Sequence, residues 1–181
     1  MAGVLCVCAF LSGTSHATTM RHLDTRTLTL DSREIVIGSV ESVRSYWDPG
    51  HTRILTDVTF RIQRSLKGSA SERMTLTQIG GEVEGARYQV PGAPQFHLGE
   101  ESLLFVWRDR AGRRQVNGLG QGKFDIRRDR TTERATVQRA PGFAVRDARA
   151  LSRVARGEHV SRIALEDMVR EIQRVLEDGD R

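Results

Sequence analysis

"GEESLLFVWRDRAGRRQVNGL", residues 99–119, is the stretch from which the fold follows. In an extended chain Leu103, Phe105 and Trp107 point one way while Leu104 and Val106 point the other, so the strand is apolar on both faces. Residues Ser102 to Arg108 and Arg113 to Leu119 read as a hairpin turning at Arg110-Ala111-Gly112. A strand of this kind is stable only when both faces are covered, and a sheet with one side in water does not account for it. Another part of the chain must lie over Leu104 and Val106.

The C-terminal tail is the candidate cover. In "IALEDMVREIQRVLED" the apolar residues Leu165, Met168, Val169, Ile172, Val175 and Leu176 recur at helical spacing, with Glu166, Arg170, Glu171 and Arg174 opposite. A looser pattern in "AVRDARALSRVARG" predicts a shorter helix ending at Gly157. Upstream of residue 140, period two runs almost everywhere. "EIVIGSVESV" (34–43) meets Gly38, where a bulge or bend lets a strand curl. Asp48-Pro49-Gly50 is turn chemistry. In "ILTDVTFRIQRSLKG" Val58, Phe60 and Ile62 share one face, and "ERMTLTQI" (72–79) supplies a third strand before Gly80-Gly81. Residues 82–100 read as irregular, with Pro91, Gly92 and Pro94, and a long loop in a compact domain is often functional.

"NGLGQGKFDI" (117–126) raises the question of a phosphate loop. A P-loop needs four residues between its glycine and the Gly-Lys pair and then a hydroxyl residue, whereas Phe124 follows Lys123 here. The flanking segments read as strands, so no helix N-terminus awaits an anion. The glycines are expected to be architectural, leaving room for a backbone or for Trp47 or Trp107, and Lys123 is expected to be dispensable for stability.

The chain has 181 residues, enough for one domain that buries roughly 70% of its unfolded surface without disulfides or metal. Residues 1–17, "MAGVLCVCAFLSGTSHA", carry no charge, an apolar run from Val4 to Leu11 and a small, polar end, which is the pattern of a signal peptide cleaved after Ala17. No stretch approaches the roughly 20 apolar residues of a membrane-spanning helix. Both cysteines, Cys6 and Cys8, fall in that segment, so the mature chain is expected to be thiol-free, and since neither follows the small-residue pattern of a lipid-anchored export signal, a soluble product, periplasmic or secreted, is expected.

The formal charge is +5. "WRDRAGRR" and "IRRDRTTER" look basic, but Asp109 and Asp129 interrupt them and Phe124 is the one nearby aromatic. Nucleic-acid platforms interleave basic grooves with aromatics, so solvated hairpin tips are the expectation, an anionic envelope polymer the next reading and nucleic acid the last. The pattern names no catalytic, cofactor-binding or metal-ligating residue. His22, His51, His97 and His159 stand alone, without ligand spacing. Glu100 and Glu101 are adjacent and make a poor acid/base couple. Asp48 beside His51 resembles part of a triad but lacks a nucleophile elbow.

The order "IVIGSV", "RILTDVTFRIQRSLKG", "MTLTQIGGEV", "VPGAPQFHLGEESLLFVW" and "GLGQGKF" resembles a family of uncharacterised exported bacterial proteins over about residues 30–128. No activity carries over from it. More distantly, an export signal followed by "VIGSV", "VTFRIQRSLKG" and the "GEESLLFVW…GRRQV" hairpin is similar to the OB-fold domain of tissue inhibitors of metalloproteinases and netrin-like modules. That resemblance implies a small closed barrel. Those inhibitors chelate zinc through an N-terminal cysteine, and this chain would begin at Thr18 with none, so protease inhibition is not implied.

The sequence therefore predicts a mainly β, OB-like barrel of five to six strands over residues 18–140, with a helical C-terminal extension (141–181) packed on it. The function expected is a non-enzymatic binding or interaction module without a cofactor, its partner a protein or an anionic envelope polymer. The alternative is an envelope hydrolase with a site near His51 or His97.

Overall fold

In the computed structural model the central strand of the sheet is the stretch quoted above, and the residues described are 22–69, 71–129, 131–132, 134–139 and 162–179. The expected export signal (1–17) and the shorter helix (144–157) lie outside them. In chain order the elements are α1 (Thr25–Asp31), β1 (Glu34–Trp47), β2 (Ile54–Lys67), β3 (Arg73–Ile79), β4 (Gly81–Val83), β5 (Ala86–Tyr88), β6 (Glu101–Arg108) and β7 (Arg114–Val116). A 3₁₀ turn at Leu119–Gly122 leads into β8 (Lys123–Arg128), β9 (Ala135–Arg139), β10 (Ile163–Ala164) and α2 (Leu165–Gly179).

The protein is mainly β with a C-terminal helix, as the periodicity predicts, but it has ten strands where five or six were expected. The principal sheet runs β10-β9-β8-β6-β1-β2-β3, with β7 also on β6, and every pairing is antiparallel. The strands that raise the number are the β4–β5 hairpin, inside the segment read as irregular, and β9 and β10 beyond β8. One of them, β10, lies in the extension read as helical, where Ile163 and Ala164 pair with Val137 and Thr136.

β6 is buried on both faces by two different partners. Leu104 and Val106 join Val36 and Val40 of β1, Val58 and Phe60 of β2, Met74 and Leu76 of β3 and Val116 of β7 in one cluster. That cluster draws on five strands and is enclosed as the sheet curls to bring β7 beside β3. Leu103 and Phe105 face a second cluster with Ile35, Ile37, Phe124 and Ile126, covered by Leu165, Met168, Val169 and Ile172 of α2 and Leu28 of α1. The helix is thus part of the core, as expected, but it lies over Leu103 and Phe105. The face at Leu104 and Val106 needs no helix, because the curled sheet covers it with its own strands.

The curl has a visible cause in β1. Its register against β2 shifts between Ile37 and Gly38 and again between Val40 and Ser42. A Cβ at Gly38 would sit 2.6 Å from the Arg61 carbonyl oxygen, so only glycine allows the two backbones to meet there. The Asp48 turn forms as predicted, its carboxylate accepting the amides of Thr52 and Arg53 at 2.7 and 3.0 Å. Thr25–Asp31 departs from the period-two reading. Its Thr-Leu alternation suits a strand, yet Asp24 caps a helix by accepting the Thr27 amide at 2.7 Å, and Leu28 is fully buried against the second cluster. Lys67 donates to the Thr29 and Leu30 carbonyls at its far end.

The basic runs fold into ion pairs. Arg114 and Arg108 both reach Glu34, at 2.8 and 3.0 Å, Arg113 reaches Asp109 at 2.8 Å, and Arg128 pairs with Glu101. No helix among the described residues is long and apolar enough to cross a membrane.

Two outcomes follow. Ile172 is fully buried, so Ile172→Ala is expected to cost about 2–5 kcal/mol in urea unfolding, whereas Glu171→Ala on the solvent side is expected to be near neutral. Burial alone would push the Glu34 carboxyl up, but the hydrogen bonds and charges of Arg114 and Arg108 outweigh it and hold it below the ordinary glutamate range. A carboxyl lowered on folding contributes stability that is full above about pH 5 and is lost as the pH falls through the folded pKa. Glu34→Gln is expected to cost about 1–3 kcal/mol at neutral pH. Denaturation midpoints of wild type and variant should then converge as the pH drops below 4.5.

Candidate functional site

The glycine-rich loop is architectural. Residues 119–122 form a 3₁₀ turn between β7 and β8, and a Cβ on Gly122 would lie 2.6 Å from the Asn117 carbonyl oxygen and 3.0 Å from that of Phe105. The close neighbours are backbone, one of the two occupants the sequence allowed, at Asn117 and at Phe105 of β6, and not Trp47 or Trp107. Trp47 instead stacks on His51 with ring centroids 4.6 Å apart.

Lys123 overturns the expectation placed on it. It follows the turn directly, sits opposite Leu104 in the β6–β8 ladder and is 2% exposed. Phe124 and Ile126 belong to the helix-covered cluster, so strand alternation aims Lys123 and Asp125 at the enclosed side of the sheet. There the Lys123 ammonium contacts the carboxyls of Glu100 and Asp125, and it lies 5.2 Å from the centre of the Phe96 ring. Phe96 in turn meets Phe60 edge-on at 5.4 Å, closing this end of the enclosed cluster.

The two carboxyls are held in unlike states. Burial would raise Glu100, but hydrogen bonds from Lys123, Asp125 and His97 and the lysine charge bring it down to about 2. Asp125 is pushed up by burial and by the neighbouring Glu100, which outweigh Lys123. One ammonium is shared by two carboxyls, and Asp125 holds a proton more readily than Glu100 does. The sequence did not reveal this group, because charges alternating with Phe124 and Ile126 read as the solvated face of a strand.

In front of Phe96 lies a cleft of about 370 Å³. Its floor is Val43, Ser45, Thr56 and Gln78, and its walls are the β4–β5 hairpin and residues 93–97. The Ser45 and Thr56 hydroxyls are 2.8 Å apart, and Thr56 donates to the Gly80 carbonyl at 2.6 Å, fixing the base of the hairpin. Gly120 donates its amide to the Gly92 carbonyl at 2.9 Å, tying the outer wall to the 3₁₀ turn. The polar groups at the rim are paired, Arg87 with Glu82 at 2.7 Å and His97 with Glu100 at 3.2 Å. Gln78 Oε1 is buried and has no hydrogen-bond partner among the described residues.

The histidines do not come together into a catalytic set. His22 contacts Arg139 at 3.1 Å, His51 lies against Trp47, His97 lies against Glu100, and His159 is outside the described residues. No group of three His, Cys, Asp or Glu side chains suited to a metal occurs among the described residues. Glu101 turns away from Glu100 to Arg128, as adjacency in a strand predicts. A second groove, of about 720 Å³, has Arg64, Arg128 and Arg134 at its rim, the first two paired with Glu166 and Glu101.

Removing the Lys123 ammonium leaves two carboxyls facing each other in a buried place. Lys123→Ala is expected to cost about 3–5 kcal/mol, and Gly122→Val about 1–3 kcal/mol, in chemical denaturation.

No protein-family model and no curated protein matches the chain.

Proposed function

We propose that the chain is an exported, non-enzymatic binding module that takes a short, neutral segment of a partner protein into the cleft between the β4–β5 hairpin and residues 93–97. The observation that carries this reading is Gln78, whose amide oxygen is buried at the cleft without a donor. A buried acceptor left unpaired costs about 1–3 kcal/mol, and an incoming peptide N–H would relieve that cost. Val43, Ile79, Val90 and Pro94 give the cleft apolar area, and Tyr88, half exposed at the rim, offers an aromatic face. Because Arg87 and His97 are engaged by Glu82 and Glu100, the cleft favours a neutral ligand over the anionic envelope polymer.

Export is supported by the apolar run and small-residue end of residues 4–17. The likeness to an OB barrel is supported by the β1–β2–β3 meander, by β6 returning beside β1, and by β7 lying beside β3. The hydrolase alternative lacks such support, since neither the His51 nor the His97 ring hydrogen-bonds a hydroxyl among the described residues.

Selection from a display library of short neutral peptides, with a polyanion as competitor, tests the proposal. Wild-type protein is expected to retain peptides that bind at least about tenfold more weakly to Tyr88→Ala and Gln78→Leu, a loss of about 1.4 kcal/mol or more. Retention of the polyanion alone, unaffected by both substitutions, would contradict it.

A further inference from the structure

We propose that Lys123 and Glu100 condense into an intramolecular amide, an isopeptide bond between β8 and the segment entering β6, with Asp125 relaying protons. Three groups that such a reaction needs converge here from two parts of the chain: an amine, a carboxyl for it to attack and a second carboxyl touching both. Lys123 and Asp125 stand on one face of β8 opposite Leu104 and Ser102, and Glu100 immediately precedes β6. Lys123 contacts both acids.

In water an ammonium and a carboxylate stay apart as ions, and excess water holds back condensation. Burial holds the two groups together and removes the excess water. Lys123 is 2% exposed, with the Phe96 ring over its ammonium and Leu104 beside it in the ladder. Glu100 is also polarised for attack. Its Oε1 faces Lys123, while its Oε2 accepts the His97 amide at 3.1 Å and lies 3.2 Å from His97 Nδ1.

The step balances without an external reagent. A proton passes from the Lys123 ammonium to the carboxyl pair, and the freed amine attacks Glu100 Cδ, forming the C–N bond. The oxyanion develops on Oε2, held by the His97 N–H. The nitrogen then gives up a second proton, Asp125 passes protons to Oε1, and the Cδ–Oε1 bond breaks to release one water. One ammonium and one carboxylate become one neutral amide, and Asp125 ends in the protonation state in which it began. Linking to Asp125 instead would join two residues of the same strand, whereas linking to Glu100 ties the end of the cleft wall to β8. The link would close a loop containing the β6–β7 hairpin and the 3₁₀ turn, a covalent constraint in a chain with no cysteine after Cys8.

Peptide mapping of the full, folded protein decides the matter. After denaturation and trypsin digestion, the expected product is a branched species joining residues 88–108 to residues 115–127, uncleaved after Lys123 and lighter than the two peptides by one water. Separate peptides of unaltered mass, with cleavage after Lys123, would overturn the proposal. Asp125→Ala is expected to leave the two peptides unlinked in protein whose circular dichroism matches wild type. A branched species from that variant would overturn the role given to Asp125.

Discussion

The structure depends on the burial of both faces of β1 and β6. Ile35, Val36, Leu103, Leu104, Phe105 and Val106 are all fully buried, so adjacent residues in each strand face two different cores. At roughly 25 cal/mol per Å² of apolar area removed from water, neither strand is stable in a one-layer sheet. The chain meets this constraint with two devices. On one side β1 shifts register at Gly38 and the sheet curls until β7 lies beside β3. On the other, α2 and Leu28 of α1 cover what the curl leaves outside.

The site follows from how β6 divides its outer edge. Its C-terminal half pairs with β7 and its N-terminal half with β8, so the chain must move from one to the other within a few residues. The 3₁₀ turn makes that crossing, and Gly122 is there because the Asn117 carbonyl, with that of Phe105 in β6 behind it, passes too close for a side chain. Immediately afterwards Lys123 enters the enclosed side of the sheet. Glu100 and Asp125 meet it there, and Phe96 closes the end of the cluster behind the cleft. The glycines and the lysine thus work in sequence, the first setting a path and the second filling the place to which it leads.

Much of the fold was legible from periodicity, because Val58, Phe60, Leu104 and Val106 alternate and the α2 stripe repeats at helical spacing. Which face of β6 the helix covers was not, since Leu103 and Leu104 are chemically alike and only the direction of the curl separates them. α1 was hidden because Thr-Leu alternation satisfies a strand pattern, while the cap at Asp24 and the burial of Leu28 are tertiary facts. Of the site, the hairpin turn after Gly80-Gly81 left a trace in its glycines. The ion group did not, because residues 100, 123 and 125 carry no spacing that brings them together. Their meeting is set by the β6–β8 register, with Ser102 opposite Asp125 and Leu104 opposite Lys123.

Amide hydrogen exchange under native conditions tests the two-faced core most directly. The account predicts that amides of β1 between Ile35 and Val40, of β6 between Leu103 and Val106, and of α2 around Met168 and Ile172 exchange together, at the slow rate set by global unfolding. Exchange in α2 that is orders of magnitude faster than in β6 would show that the helix opens by itself, and would contradict the claim that it completes the core.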